Sequence, residues 1–176
     1  MDVLKLRALE QSDVKPLQRL LMDSLSDLMR RERFEDADLL DEEVARLNTT
    51  IQDHFDDDFV QLYVVNQDGA IVGVGALLPP NDIISGHLEV ERDAIELGSV
   101  YISPHMQRLG VGQFLLEAMK REILARKQHI FYLDAGFPSA QAYWQKRLGA
   151  PSLILEHYWG PDASHMIWRV DIKKRT

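Results

Sequence analysis

The sequence predicts an α/β protein built on one mixed, mostly antiparallel sheet, with a central parallel β-α-β unit and helices on both faces. Gln67-Asp68-Gly69 separates two β-rich runs, which is typical of a tight hairpin between antiparallel strands. A strand-like run at 95–103 is followed by a helix-like run at 113–125 and a short apolar run at 129–134, an order that indicates a right-handed parallel unit. The amphipathic runs before the hairpin must each cover an apolar surface, and a sheet provides one.

The elements follow in the order β-α-α-β-β-β-α-β-α-β-β, which fits a single domain over residues 1–176. Ser12 is the expected N-cap of the first helix, and Gly149 is the expected C-cap of a helix over 139–148. The segment 79–93 is polar and is predicted to be a loop. The remaining expected strands are 3–9, 59–66, 70–78, 152–158 and 165–171, and the two early helices carry the apolar stripes Val14, Leu17, Leu21, Leu25, Leu28 and Leu40, Val44, Leu47, Ile51, Phe55.

The composition is that of a soluble globular protein, with 45% hydrophobic and 27% charged residues among 176. The chain has no cysteine, which excludes disulfides, thiolate metal sites and a cysteine nucleophile. The net charge of −8 argues against non-specific binding to nucleic acid. The N-terminal residues lack the features of a secretory signal, and no apolar run approaches bilayer length, so we expect a cytoplasmic protein that binds no membrane.

Acidic side chains are concentrated between residues 32 and 58, where they outnumber the cations Arg33 and Arg46. One interpretation is a solvated helical face that aids solubility. The other is a rim that attracts a cationic, amine-bearing substrate. The carboxylates concerned are Glu32, Glu35, Asp36, Asp38, Asp41, Glu42, Glu43, Asp53, Asp56, Asp57 and Asp58.

The turn between the strand at 95–103 and the helix that follows it contains Gln107-Arg108-Leu109-Gly110-Val111-Gly112. Glycines let backbone N–H groups crowd around an anion, and the start of a helix adds the favourable end of its dipole. We therefore predict a pyrophosphate site. A Rossmann fingerprint would need a third glycine, but position 115 is Leu, and the Gly-Lys-Ser/Thr of a Walker A loop is also absent. The alternative is that Gly110 and Gly112 only permit a tight turn.

These residues resemble the hallmark of the GNAT superfamily of acyl-CoA N-acyltransferases, in which a strand and a proline precede Gln/Arg-x-x-Gly-x-Gly/Ala. The present sequence has Val100-Tyr101-Ile102-Ser103-Pro104 and then the glycine turn, and the element order matches the family over nearly the whole chain. The resemblance implies that acetyl-CoA, or a close acyl-CoA, is the co-substrate. Its pyrophosphate would lie on the amides of Gln107, Arg108, Leu109, Gly110, Val111 and Gly112. Its pantetheine arm would pair with the backbone at Val100, Tyr101 and Ile102, which requires the sheet to splay open between the strands at 95–103 and 129–134.

The resemblance also implies two catalytic residues. Glu96 lies on the strand before the turn, where many family members place a glutamate that acts as general base. It would share a face with Val100 and Ile102, and the alternative is a strand-end glutamate paired with a neighbouring cation. Tyr143 is the candidate general acid, although counting from Ala140 places Trp144 at the family's tyrosine position. Both aromatic side chains would alternatively be core and pantetheine-packing residues.

The sequence therefore predicts an N-acetyltransferase that acts on a small, cationic amine. The alternative is a binding module of the same fold that binds acyl-CoA for regulation with little activity, and a nucleotide-binding oxidoreductase would instead bind NAD. Tyr158, Trp159 and Asp162 are candidates for lining the acceptor pocket, together with the early helices and the 79–93 loop. His54, His157 and His165 lack a zinc spacing, so we expect no metal site and solvated histidines. A homodimer is common among proteins of this kind.

Overall fold

The computed structural model describes residues 3–33 and 36–173, so that the N-terminal pair, Phe34, Glu35 and the last three residues lie outside it. Within these ranges the strands are β1 Lys5–Ala8, β2 Gln61–Gln67, β3 Ala70–Leu78, β4 Ile95–Ile102, β5 Ile130–Ala135, β6 Leu153–Leu155 and β7 His165–Asp171. The helices are α1 Val14–Glu32, α2 Ala37–Asp56, α3 Asp82–His87, α4 Val111–Ala125 and α5 Pro138–Leu148.

The seven strands form one mixed sheet in the order β1-β2-β3-β4-β5-β7-β6. Neighbouring strands are antiparallel in the pairs β1–β2, β2–β3, β5–β7 and β6–β7, whereas β4 and β5 are parallel and are joined by α4. The predicted mixed sheet with a central parallel β-α-β unit is confirmed. The hairpin is also confirmed, because Asp68 and Gly69 between β2 and β3 both take left-handed backbone angles, with φ of 51° and 82°.

The described residues form two compact units, each with its own core. The first contains the chain as far as Leu78 together with Ser99–Glu122. Alternate side chains of β3 point to opposite faces of the sheet. Val74 and Ala76 lie in a core with the buried leucines of α1 and α2. Gly75, on the other face, lies against Leu115 of α4. Helices therefore cover both faces of β3, as the sequence predicts.

The second unit contains Pro79–Gly98 and the chain from Ile123 onward. Its apolar core brings Ile84 of α3 together with Tyr132 of β5 and Ile167 of β7. Trp168 points to the opposite face from its neighbour Ile167, and its indole N–H donates to the carbonyl of Gly149 at 3.0 Å, where α5 ends. Helices therefore lie on both faces of the strands in this unit too.

Two local predictions were wrong, and the strand expected over 152–158 is limited to the three residues of β6, because residues 156–159 form a turn. Ser12 is not the N-cap of α1, because a 3₁₀ turn at Gln11–Asp13 precedes the helix and the Asp13 side chain accepts the Glu10 amide instead, at 2.8 Å. The segment 79–93 is not all loop, because it contains α3. Asn81 caps this short helix by accepting the amides of Ile83 and Ile84 at 2.9 and 3.0 Å.

Candidate active site

The glycine turn follows a 3₁₀ turn at Pro104–Met106, and its last two residues, Val111 and Gly112, are the first two residues of α4. Arg108 and Gly110 adopt left-handed backbone conformations, with φ of 66° and 86°. Such residues in a turn direct successive backbone N–H groups to one side and form an anion-binding concavity. Arg108 and Gly110 are exposed, and Leu109 between them keeps 65% of its surface accessible. The position and exposure of the turn fit the predicted pyrophosphate site.

The start of α4 leaves backbone donors that the helix itself cannot use. The Phe114 amide donates to the Gly110 carbonyl at 3.0 Å, which closes the first turn of the helix. The amides of Val111 and Gly112 come before this bond and therefore have no acceptor within the helix. Val111 is 1% exposed, so its side chain anchors the first turn in the core of the first unit. An anion such as a pyrophosphate fits these donors.

The last residues of β4 follow a break in the regular strand. Ser99 takes a left-handed φ of 51°, which bends a strand and interrupts the alternation of its side chains. The parallel ladder with β5 pairs Ile95 with Phe131 and Glu96 with Tyr132, the first two residues of β4. The shared face of Glu96 with Val100 and Ile102, which depends on regular alternation, stays a prediction.

The candidate pantetheine strand is fixed within the first unit. The Ser24 hydroxyl donates to the Ile102 carbonyl at 3.1 Å, and the Ser103 amide donates to the Val72 carbonyl of β3 at 2.9 Å. The Tyr101 hydroxyl donates to Glu43 of α2 at 3.0 Å. Burial, followed by the neighbouring Glu43 carboxylate, raises the pKa of Tyr101, which therefore stays a neutral donor at physiological pH.

Glu96 is only 6% exposed and lies in the second unit. Its Oε1 accepts the backbone N–H of Asn81 at 2.8 Å, and the Asn81 side-chain amide donates to Oδ2 of Asp134 at 3.0 Å. The same carboxylate oxygen of Asp134 lies 2.8 Å from Nε2 of His165. Two carboxylates are therefore held through one asparagine, and the base role of Glu96 stays a prediction.

The sequence analysis did not identify this group of polar residues. We expected His165 to be solvated, but it is 5% exposed and bonded to Asp134 and to the indole N–H of Trp159, at 3.1 Å. The prediction for His54 was also wrong, because its Nε2 lies 2.9 Å from the Leu9 carbonyl and its Nδ1 accepts the Leu62 amide at 2.9 Å. A sequence feature that would have indicated the group is Asp134, a charged residue at the end of the buried run 131–133.

Tyr143 and Trp144 have different surroundings. Trp144 is 7% exposed and belongs to the core, as expected for a packing residue. The Tyr143 hydroxyl is buried and has no hydrogen-bond partner among the described residues. Its ring meets Trp144 edge-on at 4.9 Å, and the Arg147 guanidinium lies 5.4 Å from the ring centroid. A buried hydroxyl without a partner is costly, and a bound ligand would remove the cost.

Two exposed aromatic side chains lie on the loop before β7. Tyr158 is 41% and Trp159 is 59% exposed, and their rings meet edge-on at 4.8 Å. Asp162 on the same loop is also exposed. Nearly all of the acidic run lies on or beside α2, where most of its side chains are exposed, whereas Glu35 is outside the described residues.

Residues 3–33 and 36–173 contain neither a membrane-spanning helix nor a cluster of metal ligands. None of the helices there is long and apolar enough to cross a bilayer. Nor do three or more histidine or carboxylate side chains in these ranges gather as metal ligands.

Comparison with known proteins identifies the family. The model of the Acetyltransferase (GNAT) family matches residues 21–150. No curated protein sequence matches the chain. Solved structures include the PaiA N-acetyltransferase of Thermoplasma acidophilum in complex with coenzyme A, with a TM-score of 0.69 at 12% identity over 96% of this chain and 99% of that one.

Two further structures share the fold. One is the ribosomal-protein-S18-alanine N-acetyltransferase of Escherichia coli, with a TM-score of 0.67 at 15% identity over 99% and 97% of the two chains. The other is the spermidine/spermine N-acetyltransferase SpeG of Vibrio cholerae, with a TM-score of 0.62 at 19% identity over 97% and 94%. At these identities the likeness establishes the fold, and the family match, which covers most of the chain, supports acyl-CoA-dependent acetyl transfer. The chain belongs to the acetyltransferase (GNAT) family.

Proposed function

We propose that this chain is an N-acetyltransferase that transfers the acetyl group of acetyl-CoA directly to the primary amine of a small, cationic acceptor. The exposed glycine turn that opens α4 is the observation that carries the proposal. Its left-handed residues, and the amides of Val111 and Gly112 that have no acceptor within the helix, support a site for a diphosphate. The proposal treats residues 1–176 as one N-acetyltransferase domain of the cytoplasm.

The backbone of β4 offers a second set of contacts for the same co-substrate. Pantetheine contains two amide groups, and an extended amide chain can bind a strand as an added strand would. The ladder of β4 with β5 joins the first two residues of β4, and the strand bends at Ser99 soon afterwards. We assign the backbone at Val100, Tyr101 and Ile102 to the pantetheine arm, although the Ile102 carbonyl also accepts the Ser24 hydroxyl.

The proposed reaction needs a base and an acid. The amine nitrogen attacks the thioester carbonyl carbon, and its proton passes to Glu96, directly or through water. The tetrahedral oxyanion then collapses, the carbon–sulfur bond breaks, and the departing thiolate takes the proton of the Tyr143 hydroxyl. The products are the N-acetylated amine and free coenzyme A. The buried hydroxyl of Tyr143, which has no partner among the described residues, supports its assignment as the acid.

The acceptor class follows from charge. The chain carries a net charge of −8, and its carboxylates are concentrated on and around α2. The exposed Tyr158 and Trp159 present ring faces, which attract cations. One structure of the same fold is a spermidine/spermine N-acetyltransferase, whereas another acetylates an alanine of a ribosomal protein. We favour a polyamine-like or aminoglycoside-like amine over a protein N-terminus.

Two glycine substitutions test the co-substrate site. Gly110 and Gly69 both take left-handed φ, of 86° and 82°, and neither would place a Cβ within 4 Å of another atom. Gly110→Ala and Gly69→Ala should therefore each lower stability by a similar amount, about 1 kcal/mol. Only Gly110→Ala should reduce the rise in melting temperature that acetyl-CoA produces. Equal responses of the two variants to acetyl-CoA would contradict the assignment.

Turnover is measured in the same samples by thiol release with a panel of amines. Release on at least one cationic amine is the expected result. A protein that is stabilised by acetyl-CoA but acetylates no amine is instead the regulatory binding module. Stabilisation by NAD without any effect of acetyl-CoA would exclude both functions and favour the oxidoreductase.

A further inference from the structure

A series of hydrogen bonds connects Trp159, at the protein surface, with the buried Glu96. Its donors and acceptors around His165 can be assigned. The indole N–H of Trp159 can only donate, so Nδ1 of His165 must accept. The proton of the neutral imidazole is therefore on Nε2, which donates to Oδ2 of Asp134. The proton positions in the Trp159–His165 and His165–Asp134 hydrogen bonds are therefore fixed.

Asn81 connects Asp134 with Glu96, and both its side-chain amide and its backbone N–H form hydrogen bonds. Its side-chain oxygen accepts the amides of Ile83 and Ile84, and its side-chain nitrogen donates to Asp134. The orientation of the side chain is thereby fixed. Its backbone N–H then points to Oε1 of Glu96 at 2.8 Å. Loss of the Asp134 contact would release one of the restraints on the residue that holds Glu96.

Gly136 provides the space in which the Trp159–His165 bond forms. A Cβ at this position would lie 3.1 Å from Nδ1 of His165 and 3.1 Å from Nε1 of Trp159. These are the two atoms that the hydrogen bond joins. Any larger residue would have to displace one of them. A Cβ at Gly136 would therefore crowd both side chains by a few tenths of an ångström and strain this hydrogen bond.

We propose that Asn81, Asp134 and His165 are positioning residues that orient the Glu96 carboxylate, and that Trp159 connects them to the exposed loop before β7. This inference rests on the base role of Glu96 in the proposed function. Neither ring nitrogen of His165 is available as a base, because both are engaged. His165 is also 5% exposed. Its contribution is to hold Asp134, and through it Asn81, in one geometry.

Steady-state kinetics of five variants test the proposal. His165→Leu removes both hydrogen bonds, whereas His165→Gln keeps one donor and one acceptor and should restore part of the lost rate. Gly136→Ala should separate Trp159 from His165, and Gly86→Ala is its control, because a Cβ at Gly86 meets nothing within 4 Å. We expect His165→Leu and Gly136→Ala to lower kcat about tenfold, less than Glu96→Gln does, because a positioned base contributes about 10²-fold or more.

The KM for acetyl-CoA should stay within about twofold in every variant, because uniform binding is not altered. The acidic limb of the pH–rate profile, which reports the base because activity is lost when the base is protonated, should shift in His165→Leu and return in His165→Gln. Variants that only lose thermal stability, with kcat and the pH profile unchanged, would overturn the proposal and leave the group a purely structural one.

A second measurement does not depend on turnover. In the full-length protein with ¹³C-labelled glutamate and ¹⁵N-labelled histidine, NMR titration follows the Glu96 carboxyl carbon and the two His165 nitrogens. We expect the Nε2–H tautomer of His165, and a displaced Glu96 titration midpoint in His165→Leu but not in Gly86→Ala. An Nδ1–H tautomer or an unmoved midpoint contradicts the inference alone, whereas absence of acetylation with the expected spectra contradicts only the proposed function.

Discussion

At the scale of single residues, the neighbours Tyr143 and Trp144 contribute differently to stability. Trp144 contributes a large buried surface, and the fold uses it for packing. The Tyr143 hydroxyl is buried but is not paired by the described residues, so folding gains nothing from it. A side chain that costs stability in the free protein is more easily explained by a role toward a ligand.

Substitution of each residue should separate stability from chemistry. Tyr143→Phe removes only the unpaired hydroxyl, so its melting temperature should equal or exceed that of the parent, whereas kcat should fall about 10²-fold because the thiolate leaves without an acid. Trp144→Phe should lower stability by about 1–3 kcal/mol through the cavity it creates. Thermal denaturation and thiol-release kinetics of both proteins test this. A larger loss of kcat in Trp144→Phe after correction for folded protein would argue against Tyr143 as the acid.

At the scale of elements, glycines on one face of β3 allow α4 to pack close to the strand. Val74 and Ala76 face α1 and α2, while Gly73 and Gly75 face α4. A Cβ on Gly75 would meet Leu115 at 3.4 Å, which is ordinary van der Waals contact. A Cβ on Gly73 would lie 3.1 Å from Ile102 and 3.3 Å from the buried Val111. The second site is the tighter of the two, and Val111 is the first residue of α4.

These two glycines therefore give different results when replaced by alanine. Gly75→Ala should stabilise the protein by about 0.5–1 kcal/mol, since it restricts the unfolded chain and fills available space. Gly73→Ala should destabilise it by about 1 kcal/mol or more, because the β-branched Val111 cannot change rotamer easily within a helix. Urea denaturation of both variants measures the difference. Equal stabilities would indicate that α4 shifts without cost.

The elements that the sequence predicted correctly have local causes. The hairpin depends on Asp68 and Gly69, and the end of α5 depends on Gly149, whose φ is 83°. Turn and cap chemistry of this kind can be recognised within a few residues. The short helix α3 was missed because Pro79-Pro80-Asn81 also marks a loop, and only tertiary packing of Ile84 reveals the helix that Asn81 caps.

In the candidate site, too, the sequence predicted the local feature and missed the one that depends on tertiary structure. The glycine turn is contiguous, so its motif could be found and its exposure anticipated. The group around Asp134 joins residues from widely separated parts of the sequence, and no local periodicity connects Asn81 with His165. Such a group becomes visible only when the strand register is known.

At the scale of the whole molecule, the excess of acid suggests how an acceptor is attracted. A net charge of −8 produces a field that draws cations toward the protein. Raising the ionic strength from about 0.01 M to about 0.15 M shortens the Debye length from about 30 Å to about 8 Å. The kcat/KM for a polyamine should then fall several-fold, whereas that for a monoamine of equal length should change much less. If both substrates respond equally, the acid serves solubility and not substrate attraction.

The hydrogen bonds of the Asn81 side chain limit which residues can replace it during evolution. Aspartate at this position would lack the donor for Asp134, glutamine would carry its amide too far from the helix that it caps, and serine would have no second polar group. We therefore expect evolutionary drift to spare Asn81 in any descendant that keeps Asp134 and His165, even where the exposed residues of the neighbouring loop are replaced freely. Loss of the asparagine from a lineage would mark the point at which its members abandoned this way of holding Glu96.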